Sequence, residues 1–115
     1  MPSCTGKVTA HGDHYAADFA LILSEDVQLH RSFSFMPSSH TDLTCDSVTL
    51  DFGRVDQLVG KQMYTITVRD SKLEVAIRNG PKISGDLNNE VDVAVDVTGT
   101  GTWVFGASGA RTTKL

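Results

Sequence analysis

Apolar and polar residues alternate along most of this chain, with the period of two that is typical of β-strands. The clearest case lies between Glu90 and Gly106, where four alternating valines precede Trp103 and Phe105. The residues between them are small or polar. This pattern predicts a strand with one face against a core and the other face in contact with water.

Two glycines interrupt this segment and restrict how it can fold. A two-residue loop at Gly99 and Thr100 would turn Trp103 and Phe105 onto the polar face, because a shift of one residue inverts the face of every side chain. A three-residue loop that ends at Gly101, or one continuous strand bent at the glycines, keeps both aromatic residues on the valine face. Both solutions predict that Trp103 is largely buried.

A tight hairpin is predicted near the N-terminus, with Gly12 and Asp13 as its two turn residues. This turn keeps apolar residues on one face of both strands and places opposite charges together on the other. The pairs that it predicts are His11 with His14, Ala10 with Tyr15, Val8 with Ala17, and Lys7 with Asp18.

A second hairpin is predicted between Tyr64 and Ile77. A four-residue loop from Arg69 to Lys72 is favoured over a two-residue loop, which would seat these two cations directly against each other. The predicted pairs are Tyr64 with Ile77, Ile66 with Val75, Val68 with Leu73, and Thr67 with Glu74.

The other segments complete an all-β pattern of about eight strands. Residues 27–35 and 48–52 alternate, residues 36–46 form a polar surface loop, and one helical turn is expected in 54–60. A helix over 18–30 is the minor alternative. We therefore predict an antiparallel β-sandwich, with a small up-and-down β-barrel as the alternative. One domain is expected to cover 1–115, with a frayed tail at 107–115.

Composition and charge exclude several classes of partner. The formal net charge is -4 and the sequence pI is about 5.4, with scattered cations, which argues against binding to nucleic acid. No apolar run is long enough to insert into a membrane, and the chain as given shows no signal peptide, so a soluble protein of unknown location is expected.

The first candidate for chemistry is the predicted turn His11-Gly12-Asp13-His14. The turn would bring the two imidazoles side by side, where they could bind a metal ion such as zinc, with Asp13 as an orienting group or ligand. A complete zinc site needs a third protein ligand, from His30, His40 or a loop aspartate. Two exposed histidines at a polar hairpin end are the simpler interpretation.

The second candidate is the oxygen-rich segment of Asp86, Asn88 and Glu90, which could bind calcium. It lacks the glycine and the closing glutamate of a helix-loop-helix calcium site, so a solvated turn is the simpler interpretation. Cys4 and Cys45 have no spacing motif and are more typical of two free thiols than of a disulfide.

No motif frames a catalytic nucleophile or a phosphate-binding loop. The sequence therefore favours a non-enzymatic binding or protein-interaction module that uses loops such as 36–46 or an edge strand. A structural, self-assembling subunit is one alternative. A small metal-dependent enzyme using His11 and His14 is the other.

Overall fold

The computed structural model describes residues 3–24, 27–37, 42–91 and 94–105. These residues form eight β-strands and one short 3₁₀ turn, Val55–Gln57. Among them, no helix has the length and apolar character needed to cross a membrane. In chain order, the strands are β1 (Ser3–His11), β2 (His14–Ser24), β3 (Val27–Phe35), β4 (Cys45–Asp51), β5 (Gly60–Arg69), β6 (Lys72–Ile77), β7 (Lys82–Asp86) and β8 (Val95–Phe105).

The eight strands pair side by side into one closed barrel, in the order β1-β2-β3-β8-β5-β6-β7-β4 and back to β1. Every pairing is antiparallel. The predicted all-β class with about eight antiparallel strands is confirmed. The barrel that the sequence left as the alternative forms instead of the two-sheet sandwich, because β4 and β8 each pair on both sides and join the two halves of the sheet.

The barrel is not a simple up-and-down one, because three connections skip neighbouring strands. β4 follows β3 in the chain but pairs with β1 and β7, and β8 follows β7 but pairs with β3 and β5. Each strand still runs opposite to the one before it. The β1–β2, β3–β4, β5–β6 and β7–β8 connections therefore gather at one end of the barrel, which we name the upper end.

Both predicted hairpins have the pairing that alternation indicated. His11 lies opposite His14 across the first turn, where Gly12 has a φ of 67°. All four predicted pairs of the second hairpin are also present. Residues 18–24 and 27–30 lie in strands β2 and β3, so the helical alternative does not form. The predicted tail at 107–115 lies outside the described residues.

The glycines of β8 lie inside one continuous strand, which was one of the two predicted solutions; no loop forms there. A β-carbon on Gly99 would lie 2.6 Å from the hydroxyl oxygen of Tyr64, and one on Gly101 would lie 2.5 Å from Cζ of Phe33. Both distances are too short for non-bonded atoms. The two glycines therefore leave room for aromatic rings that pack directly on the β8 backbone.

The core of the barrel is built around Phe33. Its ring centroid lies 4.9 Å from that of Trp103, 5.8 Å from Phe35 and 5.9 Å from Tyr64. Trp103 is 4% exposed, which confirms its predicted burial. Inward residues from every strand join this cluster, so the described interior is packed with side chains.

The upper part of β8 has an open side. Along β3, pairing with β8 ends at Ser34 and Thr102, although β8 continues upward to Val95. The inward residues Val97 and Gly99 on this stretch are only partly buried. No described strand pairs with this side of β8 above Thr102.

Turn geometry identifies the backbone groups that face the opening. Arg69 and Lys72 flank a two-residue turn, and in such a pair the backbone N–H of each residue donates to the C=O of the other. Along β5, the backbone N–H and C=O groups of successive residues point alternately to the two neighbouring strands. The groups of Tyr64, Ile66 and Val68 therefore point toward β8. The residues of β8 that they pair with are Gly99, Val97 and Val95. The N–H and C=O groups of Asp96, Thr98 and Thr100 therefore point into the opening, and we name these three residues the open edge.

We expect amide hydrogen exchange to alternate along β8. The amides of Val97 and Gly99 bond to β5 and should exchange slowly, whereas those of Asp96, Thr98 and Thr100 should exchange much faster. Residue-resolved exchange measured by NMR tests this. Uniform protection from Val95 to Gly101 would show that another segment covers the open edge.

Candidate functional site

The described barrel interior does not resemble a ligand site. The Tyr64 hydroxyl and the Trp103 indole N–H are buried without a hydrogen-bond partner among the described residues, and burial raises the pKa of Tyr64. Aromatic and aliphatic side chains occupy the space around them. A ligand would have to displace core side chains to enter.

The β1–β2 turn brings the two predicted imidazoles together. The rings of His11 and His14 are stacked, with centroids 5.6 Å apart and planes inclined by 21°. Thr9 Oγ1 lies 2.8 Å from Nε2 of His11, and Nδ1 of His14 lies 3.3 Å from Oδ1 of Asp13. Asp13 is therefore positioned as an orienting partner of His14.

The predicted third metal ligand is not brought to this turn by the described residues. His30 pairs with Ala20, far down β2 from His14. His40 lies outside the described residues. Within the described ranges, no group of three or more His, Cys, Asp or Glu side chains is placed to hold a metal ion.

The residues of the predicted calcium segment make separate contacts. Lys72 Nζ donates to Asp86 Oδ1 at 3.0 Å. The side-chain oxygen of Asn88 accepts a hydrogen bond from the backbone N–H of Asp46 at 2.7 Å. Glu90 is exposed. Two of the three candidate side chains are thus engaged in contacts with neighbouring strands, and the calcium site stays a prediction.

Side chains join Asp42, in the predicted 36–46 loop, and Asp46, at the start of β4, to the β7–β8 loop. Asn88 Nδ2 donates to Asp46 Oδ1 at 3.2 Å, and Asn89 Nδ2 donates to Asp42 Oδ2 at 3.0 Å. Hydrogen bonds from the backbone and hydroxyl of Thr44, and then from Asn89, lower the pKa of Asp42. The ionised form of Asp42 thus stabilises the folded state, and this contribution is lost as the pH falls through the lowered pKa.

The β5–β6 turn differs from the prediction. It has two residues, Asp70 and Ser71, with φ angles of 54° and 63°, and Arg69 does lie opposite Lys72. The repulsion between the cations is offset because Asp86 on β7 pairs with Lys72. This carboxylate comes from a distant segment and was not visible in the hairpin sequence.

Ser71 explains why a strained turn persists without glycine. Its hydroxyl accepts a hydrogen bond from the Val91 N–H at 2.8 Å, and its carbonyl accepts one from the Leu87 N–H at 2.9 Å. The turn therefore anchors the β7–β8 loop at two points. This role cannot be predicted from the sequence, because nothing local distinguishes Ser71 from an ordinary turn serine.

A groove of about 460 Å³ lies on the outer surface of β5, β6 and β7, near the upper end. Two cationic and three carboxylate side chains line this groove. Lys72 pairs with Asp86, while Arg69 bonds to the backbone oxygen of Val68 at 3.3 Å. The charged side chains that line it are Arg69, Asp70, Lys72, Glu74 and Asp86.

Comparison with protein-family models, with curated proteins and with solved structures gives no match to this chain.

Both cysteines are free. Cys45 is 1% exposed, and burial, followed by the carboxylates of Asp86, Asp42 and Asp46, raises the pKa of its thiol to about 12. Burial and then Asp51 raise the pKa of Cys4. Since the thiolate is the nucleophile, these shifts oppose a catalytic role for either residue.

We expect opposite effects from substitutions at the two turn positions. Asp70→Gly should raise the free energy of unfolding by about 0.5 kcal/mol, because glycine adopts positive φ without steric cost. Ser71→Ala should lower it by about 1 kcal/mol, because it removes the acceptor of the Val91 N–H. Urea denaturation monitored by Trp103 fluorescence measures both. A neutral Ser71→Ala variant would contradict the anchoring role.

We expect Cys45 to resist thiol reagents in the native protein. In a Cys4→Ser variant at pH 8, Ellman's reagent should label the single remaining thiol only after denaturant is added, because Cys45 is buried and protonated. Labelling of the native variant at the rate of a small-molecule thiol would show that Cys45 is accessible and ionised.

Proposed function

We propose that this protein is a non-enzymatic interaction module that binds an extended segment of another protein through the open edge of β8. A single observation carries this proposal. Asp96, Thr98 and Thr100 direct three N–H and three C=O groups to a side of β8 where no described strand pairs with them. An added strand satisfies such groups by continuing the sheet, which is the recognition mode called β-augmentation.

The chemistry of the open edge suits a short strand with polar outward side chains. The side chains of Asp96, Thr98 and Thr100 are exposed on the outer face of the barrel. Threonine hydroxyls pair well with threonine and serine on a neighbouring strand. We therefore expect the bound segment to carry hydroxyl or other polar residues at every second position.

The expected affinity is modest. Six backbone hydrogen bonds at about 1 kcal/mol each give about 6 kcal/mol, which corresponds to a dissociation constant between about 1 µM and 1 mM. The cost of ordering the bound segment lowers the affinity further, unless the side chains of the segment add contacts. A transient interaction is therefore proposed.

Self-assembly is a second candidate, supported by the residues of the same edge. In an antiparallel pairing of two copies centred on Thr98, each Asp96 would face Thr100 of the other copy. No like charges would then be directly opposed.

Other predicted sites receive less support. The predicted loop 36–46 is wrong at its end, because Cys45 and Asp46 begin strand β4. Its residues 36–37 and 42–44 are described, and Asp42 is already bonded to the β7–β8 loop. A metal-dependent enzyme using His11 and His14 would need a further ligand that the described residues do not bring to the turn. Recognition by the loop and catalysis by the histidines stay predictions.

Selection from a displayed library of short random peptides tests the proposal. Peptides enriched on the wild-type protein should lose at least about tenfold in affinity for Thr98→Pro, because proline removes an N–H donor and obstructs pairing on that side. The backbone of Thr98 does not bond to β5, so the barrel should persist. Thr98→Ala is the matched control and should retain binding.

Two outcomes would contradict the extended-segment proposal. One is the selection of peptides that bind wild type and Thr98→Pro equally, or the selection of none. The other is a concentration-dependent dimer in sedimentation velocity that Thr98→Pro abolishes, which would establish self-assembly through this edge instead.

A further inference from the structure

The β1–β2 turn projects beyond the strands on both sides of it. β4 pairs with β1 only as far as Val8, and β3 pairs with β2 only as far as Tyr15. His11 is exposed and the side chain of His14 is 39% exposed. Both imidazoles are therefore accessible from water without any opening of the barrel.

Each imidazole has one nitrogen held by a neighbouring side chain. When His14 Nδ1–H donates to Asp13, its lone pair resides on Nε2. When His11 Nε2–H donates to the Thr9 hydroxyl, its lone pair resides on Nδ1. In metal sites, the histidine nitrogen that does not bind the metal typically donates a hydrogen bond to a neighbouring group. This bond fixes both the tautomer and the ring orientation.

The ring separation suits chelation of one ion. Two imidazoles that bind the same ion at about 2.0–2.1 Å per nitrogen have ring centroids roughly 5 Å apart. The centroids of His11 and His14 are 5.6 Å apart. The two planes are inclined by only 21°, so the rings must turn out of this stacked arrangement to direct one nitrogen each at a common ion. The exposed turn leaves room for such side-chain rotations, and the centroid separation is already close to the required one.

We propose that His11 and His14 form a bidentate site for a divalent transition-metal ion, with Thr9 and Asp13 as positioning residues. Imidazole ligands favour copper, zinc and nickel over magnesium and calcium, and Cu²⁺ binds such nitrogen sites more tightly than Zn²⁺ does. Water completes the coordination, which makes the ion exchangeable. This site is distinct from the open edge and does not depend on the function proposed for it.

Calorimetric titration of the full chain, without an affinity tag, with CuCl₂ and ZnCl₂ tests the proposal. The expected result is one ion per chain, with tighter binding of Cu²⁺. His11→Gln and His14→Gln should each weaken Cu²⁺ binding by more than tenfold. Asp13→Asn should weaken it by about tenfold, the loss typical of an outer hydrogen-bond partner. His30→Gln is the matched control and should bind as the wild type does.

Electron paramagnetic resonance of the Cu²⁺ complex provides a second readout. Hyperfine coupling should indicate two nitrogen ligands in the wild type and one in His14→Gln. Circular dichroism of each variant verifies that the barrel is intact. Absence of saturable binding, an equal loss in His30→Gln, or a stoichiometry of one ion per two chains would overturn the proposal.

Discussion

The close approach of two aromatic rings to the backbone of β8 is the contact on which the barrel depends. Phe33 comes from β3 and Tyr64 from β5, the two strands between which β8 lies. Only residues without a β-carbon at positions 99 and 101 allow both rings to pack against the strand that joins them. The core and the closure of the sheet therefore rest on the same two positions.

Closure of the barrel pairs most strand edges, and it holds several energetically unfavourable local conformations in place. The type of turn at Asp70 and Ser71 needs positive φ at both residues, and it seats two cations opposite each other. In β4, two residues lie opposite Lys7 of β1, so the strand is bulged between Cys45 and Val48. The bulge allows the side chains of Cys45 and Val48 both to remain buried. These features persist because neighbouring strands supply compensating contacts, as Asp86 does for Lys72.

The surfaces to which we assign binding are the places that closure leaves incomplete. Pairing with β3 ends at Thr102, so no described strand pairs with the backbone groups along the upper part of β8. β1 and β2 extend beyond their outer neighbours, so the imidazoles at their turn stand in water. In both cases, the backbone groups or imidazoles are accessible because neighbouring strands differ in length. No specialised sequence motif is involved.

The sequence by itself determined the all-β class, the inward faces of most strands, the pairs within each hairpin and the proximity of His11 to His14. These depend on alternation and turn chemistry within a few residues. The sequence did not predict strand β7 (Lys82–Asp86), and it began the last strand at Glu90 instead of Val95. Cross-strand packing was also implicit at Trp103, whose parity with the valines predicted its burial.

Only the tertiary structure decided the strand order, the closure into a barrel and the length of the β5–β6 turn. Insertion of β8 between β3 and β5, and of β4 between β1 and β7, depends on pairing between segments far apart in the chain. Alternation specifies which face a residue presents but not which strand lies beside it. For the same reason, the open edge of β8 and the anchoring role of Ser71 emerged only when distant segments were brought together.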